Sequence, residues 1–354
     1  ADGVTWWVNY ETWTGTKTGS ASSQTFTEFA VPSGGVPFGI ASGPDGNLWF
    51  SDMQTNSIRK MTPAGVVTSY TIPTTTTNNT EDCGYGSCPQ TIVSGPNGNM
   101  WFVEGNGNKI AKITTAGVIT EYANTAGGWP QDLAVGPDGN IWFTDQGITG
   151  GGDPAFNANG AIGKLDIATG IITKYPLLTA NTQANFITLG PDGAMWFTQS
   201  NGIDTAPASG SNLVARITMA GVITEFPNTG GAFITTGSDG NLWLTAPGTG
   251  IGKLTTAGVQ TMFAIPSATL NPFSITAGPD GNLWFSEVGG MWPSWAGGGN
   301  LGRITTSGVV TEFALPASSE INTAHPTMGV VTVGPDGAIW FADPRSARIV
   351  RFQP

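Results

Sequence analysis

The sequence predicts an all-β chain: a seven-bladed β-propeller of four-stranded blades, closed by the N-terminal strand completing the last blade. Three observations carry this expectation. First, the motif Gly43-Pro44-Asp45-Gly46-Asn47-Leu48-Trp49-Phe50 returns, with small variations, from Gly95, Gly136, Gly190, Gly237, Gly278 and Gly334. Second, the tryptophans it carries (Trp49, Trp101, Trp142, Trp196, Trp243, Trp284, Trp340) are spaced by 52, 41, 54, 47, 41 and 56 residues, so the minimal unit is 41 residues, the length of a four-stranded blade. Third, composition removes the alternatives. The 354 residues include 52 Gly, 24 Pro and 13 Trp, are 39% hydrophobic and only 10% charged. That is too poor in Lys, Glu and Arg for a helical bundle and too rich in apolar side chains for disorder.

Each unit divides into strands by alternation and turn chemistry. In the sixth, Phe273-Ser274-Ile275-Thr276-Ala277 is the first strand, and Gly278-Pro279-Asp280-Gly281 a tight turn, because Pro presets the first turn angle and the closing Gly accepts positive φ. Asn282 to Ser286 forms the second strand, Leu301 to Thr305 the third, and Val309 to Ala314 the fourth after a Thr306-Ser307-Gly308 turn. The seventh unit stops after its third strand, Arg348 to Phe352. Its missing fourth strand is expected at the other end, where Thr27-Glu28-Phe29-Ala30-Val31-Pro32 copies Thr311-Glu312-Phe313-Ala314-Leu315-Pro316. This closure removes a sheet edge. The domain division is therefore 24–354 for the propeller and 1–23 for a Trp-rich extension carrying Trp6, Trp7 and Trp13. The extension is expected to strap onto the ring, or else to act as an aromatic arm recruiting a partner or a second copy.

In such a ring the first-to-second and third-to-fourth connections share one face, and the other two kinds share the opposite face. The short Gly-Pro-Asp-Gly and Ala-Gly turns all fall on the first. The insertions all fall on the second: Pro73 to Pro89, Gln146 to Ala161, Ser200 to Leu213, Val288 to Asn300, and Pro316 to Thr327. A rigid scaffold with one loop-rich face is where binding or catalysis is expected.

Net charge and cysteine usage narrow the partners. A formal charge of −11 and a pI near 4.4 repel a nucleic-acid backbone. No apolar run approaches the length of a membrane span. Cys83 and Cys88 enclose Gly84-Tyr85-Gly86-Ser87, a loop that can bend into a disulfide, and with one histidine the chain lacks the ligands of a structural zinc site. The opening Ala1-Asp2-Gly3, low Lys content and the cysteine pair together suggest a mature, secreted chain.

Several slots on the loop-rich face are candidate site residues. After each Trp-Phe pair stand Asp52, Glu104, Asp145, Gln199, Thr245 (in Trp243-Leu244-Thr245), Glu287 and Asp343. Acids around a central opening would focus negative potential and could hold a hard cation, Mg or Ca, through oxygen ligands; Glu287, Asp343, Asp52, Glu104 and Asp145 are the expected metal residues, and no organic cofactor is expected. The alternative is that each acid bonds locally to loop amides. Seven basic residues on third strands (Lys60, Lys112, Lys164, Arg216, Lys253, Arg303, Arg351) suit a structural, acid-paired role. Phe38, Gln90, Gln131, Asn185 and Phe273 begin first strands, and Trp129, Tyr85, Phe156, Trp292 and Trp295 sit in connections. Aromatic faces beside amides and carboxylates suit a small molecule, glycan or peptide; packing within the loops is the bland alternative. The single histidine, His325 in Ala324-His325-Pro326, is the one side chain suited to act as a base near neutral pH.

The unit spanning residues 278–287 and 302–316 resembles the streptogramin B lyase (virginiamycin B lyase) family, and the resemblance extends over residues 24–354. It implies a seven-bladed propeller that linearises a cyclic depsipeptide by Mg-assisted elimination, using Glu and His residues at the loop-rich face of the last two blades. By this resemblance Glu287 matches the metal-binding Glu of the sixth unit, and Asp343 approximates the acid of the seventh, offset by about one position. The family's histidines precede the first strands in a Pro-His pattern. Those positions here hold Phe273 and either Met328 or Gly329, which cannot abstract a proton, so His325, about four residues upstream, would have to serve. Three functions follow as expectations: a ligand-binding propeller using a divalent cation; a Mg-dependent C–O lyase on an ester, depsipeptide or uronate-like substrate, with Glu287 and His325 in its site; or an assembly protein docking through its Trp-rich arm.

Overall fold

The computed structural model describes residues 7–9, 12–17, 24–32, 35–80, 84–125, 127–147, 160–200, 213–227, 229–267, 269–289, 299–315, 329–344 and 346–354. Six four-stranded antiparallel sheets and one six-stranded sheet form the blades. Blade 1 runs Pro37–Ser42, Leu48–Asp52, Ser57–Met61, Val67–Thr71, and blades 2 to 6 repeat that meander in order. Inner strands of successive blades neighbour one another around the ring, and that of blade 7 adjoins both blade 6 and blade 1. Among the described residues no helix is long and apolar enough to cross a membrane.

Blade 7 contains the closure. Its inner three strands, Val331–Val333, Ile339–Asp343 and Arg348–Gln353, come from the C-terminal end. Gln24–Ala30 is its fourth, paired from Thr25↔Gln353 to Ala30↔Arg348. The chain then does more than strap. Thr12–Lys17 pairs outside Gln24–Ala30, and Trp7–Asn9 pairs outside that, so the extension continues the blade's sheet by two strands.

The core lies between blades. One apolar cluster joins Phe29 and Trp340 of blade 7 to Ile40, Leu48 and Phe50 of blade 1; another joins Trp49 of blade 1 to Ile92, Met100 and Phe102 of blade 2. All seven motif tryptophans are fully buried, and six of them serve three partners. In six blades the indole N–H donates to the turn Asp, for example Trp142 to Asp138 at 3.1 Å. The basic side chain of the third strand lies over the ring and pairs with the same Asp, as Lys164 does at 5.3 Å and 2.8 Å. The outer-strand aromatic stacks beside the indole, Tyr175 at 5.7 Å. A turn glycine of the next blade then seals that aromatic: at Gly221, with φ +85°, an added Cβ would lie 2.3 Å from the Tyr175 ring.

A second device stitches blades near the loop-rich end. Inner strands bulge there, between Pro37 and Ile40 in blade 1 and at the equivalent place in blades 2, 3, 4 and 6. A bulge frees an N–H from its ladder, and a second-strand hydroxyl takes it. Ser51 accepts from the N–H of Gly39 at 2.9 Å and donates to the carbonyl of Gln90 in the next blade at 2.6 Å. Thr144, Thr245 and Ser286 do the same toward Asn185, Phe273 and Gly329.

Candidate functional site at the loop-rich mouth

All insertions leave the strands at the end where second strands finish and inner strands begin, so they depart from one end of the disc. Ladder register fixes the acidic slot there. Asp52, Glu104, Asp145, Gln199, Ala246, Glu287 and Asp343 each follow their Trp by three residues and stand opposite the first residue of the third strand. Ala246, not Thr245, therefore occupies the slot in blade 5. Thr245 faces the opposite way, in the stitching position, because side chains alternate along a strand. Asp343 and Glu287 share one register within this chain.

These side chains do not ring an opening. The polar members of the slot are fully buried, each turned into its own blade, and among the described residues no group of three or more His, Cys, Asp or Glu comes together to hold a metal ion. Asp52 accepts from the N–H of Val36 at 3.0 Å and pairs with Arg59 at 2.7 Å; Gly35 lies so close that an added Cβ would fall 1.9 Å from its carboxylate. Asp145 accepts from the N–H groups of Trp129 and Gly147 and from Asn124, and pairs with Lys174 at 2.5 Å. Gln199 donates to Glu225 at 3.1 Å. In blade 7 Asp343 accepts from the N–H of Ser346 at 3.2 Å, and Arg348, opposite it in register, pairs with Glu28.

Glu104 and Glu287 differ. Burial, reinforced by the charge of Glu121 across the blade, pushes the Glu104 carboxyl up to about 8, with Lys109 opposing. Burial and Glu312 push Glu287 to about 8 as well. The second-strand acid thus faces a residue of the outer strand, and sequence reading missed that partner. Its signal is the recurring Thr-Glu-aromatic triplet: Thr120-Glu121-Tyr122, Thr224-Glu225-Phe226, Thr311-Glu312-Phe313 and Thr27-Glu28-Phe29. These glutamates also clamp blades together. Glu121 takes the N–H and hydroxyl of Thr74 at 3.1 and 2.8 Å, Glu225 those of Thr179, and Glu312 those of Ser267 at 2.8 and 2.6 Å, all from connections leaving the preceding blade.

The inner-strand starts lie at this end of the disc. On one side Phe38 and Trp129 pack with Val36 on Met53 and Cys88, and Cys88 is disulfide-bonded. Across blades 4 to 6, Phe186 stacks on Phe233 with centroids 3.7 Å apart, and Phe233 meets Phe273 at 4.8 Å. Gln90 is buried, Gln131 half-buried, and Asn185 donates to Ser200 at 2.9 Å and accepts from Gln146 at 3.2 Å. Strict alternation hid Phe186, which lies within the bulge between Ala184 and Ile187, and Phe233, which stands just before the short inner strand Ile234–Thr236. It also hid Asp132, buried on the inner strand of blade 3 and bonded to the N–H groups of Leu133 and Ile187 at 2.9 and 2.8 Å. Cys83, Phe156, Trp292, Trp295 and His325 lie outside the described residues, as does the side chain of Tyr85.

The Mg ion implied by the resemblance can be set against this geometry. Glu287 has one carboxylate oxygen without a hydrogen-bond partner, but its other contacts lead away from the mouth, to Asn300 on the third strand and Glu312 on the outer strand. It does not fit an ion that touches a ligand in the mouth.

Comparison with known proteins agrees with this architecture. No curated protein matches the chain by sequence. A solved streptogramin B lyase superposes with a TM-score of 0.74 at 29% identity, covering 93% of this chain and 97% of the other. A virginiamycin B lyase from Staphylococcus aureus, also solved as a catalytically inactive histidine-to-alanine variant with quinupristin, superposes with a TM-score of 0.73 at 29% identity, covering 94% of this chain and 99% of the other. An extracellular domain of a hybrid two-component system from B. thetaiotaomicron shares the fold alone, with a TM-score of 0.62 at 12% identity, covering 90% of this chain and 40% of the other. The model of the virginiamycin B lyase family matches residues 77–227 and 152–354, and the chain accordingly belongs to that family.

Proposed function

We propose that this protein binds a ring-bearing peptide or depsipeptide at the loop-rich mouth of its channel. The observation that carries the reading is the arc of Phe186, Phe233 and Phe273, three aromatic side chains contributed by adjacent blades at one level of the mouth. An aromatic arc offers a face for an apolar ring, and the amides of Gln90, Gln131 and Asn185 on neighbouring blades can exchange hydrogen bonds with peptide groups. The quinupristin complex of the Staphylococcus aureus relative supports the ligand class. The test is titration of the protein with quinupristin by calorimetry. Binding is expected, with Phe233→Ala and Gln131→Ala each weakening it about tenfold, or about 1.4 kcal/mol. Absence of binding, or equal affinity in both variants at unchanged melting temperature, contradicts the reading.

A second reading, a C–O lyase, is favoured by family membership and by the inactivity of the relative's histidine variant. Here the chain's single histidine, His325, would take the proton alpha to a carbonyl while the ester C–O bond breaks, leaving an alkene and a carboxylic acid within one opened molecule. Elimination takes up no water, so the product keeps the substrate's mass and changes only its chromatographic retention. Formation of that isomer by the wild type and its loss in His325→Ala is the expected result; an unchanged peptide, or a product with the mass of water added, contradicts it. An extracellular setting goes with both readings and is supported by the Cys88 disulfide. Its test is detection of the protein outside intact cells that express the full gene; retention inside contradicts it.

A further inference from the structure

The inner strands offer one register position in every blade, the residue just before the one that stands opposite the motif Phe or Leu. From blade 1 to blade 7 it is glycine, threonine, aspartate, phenylalanine, phenylalanine, serine and valine. Blades 4 and 5 put the aromatic rings of Phe186 and Phe233 there, and blade 3, beside them, puts a charge. Asp132 is the only ionisable side chain in the seven inner strands.

The Asp132 carboxylate accepts from the N–H of Leu133 at 2.9 Å, from the N–H of Ile187 in blade 4 at 2.8 Å and from the hydroxyl of Thr91 in blade 2. It therefore sits where three neighbouring inner strands meet. The buried Asp52 and Asp145 have Arg59 and Lys174 as counter-charges. Asp132 has no ion pair among the described residues, and the residues bonded to it from adjoining strands, Thr91, Thr144 and Ile187, carry no charge. Burial pushes its carboxyl up to about 6 against those donors, so at neutral pH it is ionised with a charge that the fold leaves unmatched. A second, independent observation lies one residue before Thr91. Gln90 is 9% exposed, and its Oε1 has no hydrogen-bond partner, a costly state for a buried acceptor. Asp132 is 8% exposed, so neither group is sealed from solvent. Both are acceptors on neighbouring strands, and Phe186, directly before the Ile187 that binds Asp132, stacks on Phe233 at 3.7 Å.

We propose that this quarter of the mouth takes a protonated amine, its ammonium donating to the Asp132 carboxylate and the Gln90 side-chain oxygen, with the carbon chain behind it lying against Phe186 and Phe233. An ammonium brings three donors, no acceptor and the missing positive charge, and aromatic faces attract it further. The formal net charge of −11 draws such a ligand toward the chain. The inference rests on the reading of the mouth as a peptide site and adds one feature to its ligand, an amino group that stays charged at neutral pH.

The experiment titrates the whole chain at neutral pH with phenethylamine and with 2-phenylethanol, which share a ring and a two-carbon chain and differ in the charged group, and follows binding by ligand-observed NMR. The amine is expected to bind the wild type about tenfold more tightly than the alcohol. Asp132→Asn keeps an acceptor oxygen and removes the charge, so it should bring the two probes within about twofold of each other. Gln90→Met should weaken the amine about threefold and leave the alcohol unchanged. Equal affinity of the two probes for the wild type overturns the inference, and that comparison needs no variant to fold. A preference for the amine that survives in Asp132→Asn places the cation on another acid and equally overturns it. If quinupristin binds while the two probes bind alike, the peptide site stands and its preference for a cation falls. If quinupristin and both probes fail to bind, the two readings fall together.

Discussion

At the turn-rich end of the disc, six blades repeat one arrangement of Asp, Trp, base and aromatic almost without change. At the loop-rich end the slot three residues beyond the same Trp holds Asp, Glu, Gln or Ala, and each blade completes it with different partners. The electrostatics divide in the same way. Turn aspartates sit half out of water; burial pushes Asp138 upward, but Lys164, Asn140 and the Trp142 indole together outweigh it and draw the carboxyl down to about 2. At the other end burial wins, and Glu104 and Glu287 rise to about 8. One end holds the repeat together, and the other, built on the same strands, is free to differ from blade to blade.

The sharpest way to break this comparison is to remove a shared element at the turn end. Trp142→Ala empties a fully buried site that also anchors Asp138, Lys164 and Tyr175, and a loss of about 3–5 kcal/mol in urea-unfolding free energy is expected. A loss under 1 kcal/mol would mean the tryptophans do not carry the interblade core.

The ends should also respond to pH with opposite sign. Asp132 is raised from 3.8 to about 6 by burial, which the N–H groups of Ile187 and Leu133 and the Thr91 hydroxyl oppose. Its folded form holds the proton more tightly than the unfolded chain, so its contribution is full below about pH 4 and falls as pH rises to about 6. Asp138 is lowered, so its contribution is full above about pH 4 and falls as pH drops toward 2. Asp132→Asn should flatten the first slope and, by leaving an N–H unpaired, cost about 1–3 kcal/mol at pH 7. Asp138→Asn should flatten the second at a cost of about 1 kcal/mol or less, since that pair is partly exposed. Unaltered pH profiles in both variants would dissolve the contrast.

The smallest expected effect sharpens it. Blade 2 alone has Asn97 in place of the turn Asp, with φ 61°, and the indole N–H of Trp101 has no hydrogen-bond partner. Asn97→Asp restores an acceptor for Trp101 and a counter-charge for Lys112, and a gain of up to about 1 kcal/mol is expected. A destabilised variant would show that the altered turn of blade 2 is built around Asn97.

The ring, its closure through Gln24–Ala30 and the shared end of the strands from which the insertions depart were legible in the sequence because they depend on period and turn chemistry alone. The mouth was only half legible. Phe38, Gln90, Gln131, Asn185 and Phe273 were placed at the inner-strand starts, but the bulges that hold Phe186 and Asp132 leave no mark in an alternating pattern, and Phe233 lies just ahead of its strand. In blade 5 the Leu244 that replaces Phe shifted the reading to Thr245, when the pleat keeps Ala246 in register. The outer-strand glutamates were visible as a recurring triplet, yet a triplet does not say that Glu312 reaches across a blade to Glu287. Burial and partner distances come only from the packed ring.

Hydrogen exchange of the whole chain with and without saturating quinupristin tests the central claim, that the ligand site is the loop-rich mouth, most directly. Slowed exchange confined to the inner strands Gln183–Leu189, Ile234–Thr236 and Leu270–Ala277 and the connections leading into them is the expected result. Slowing at the Gly-Pro-Asp-Gly turns, with the inner-strand starts unchanged, would contradict it.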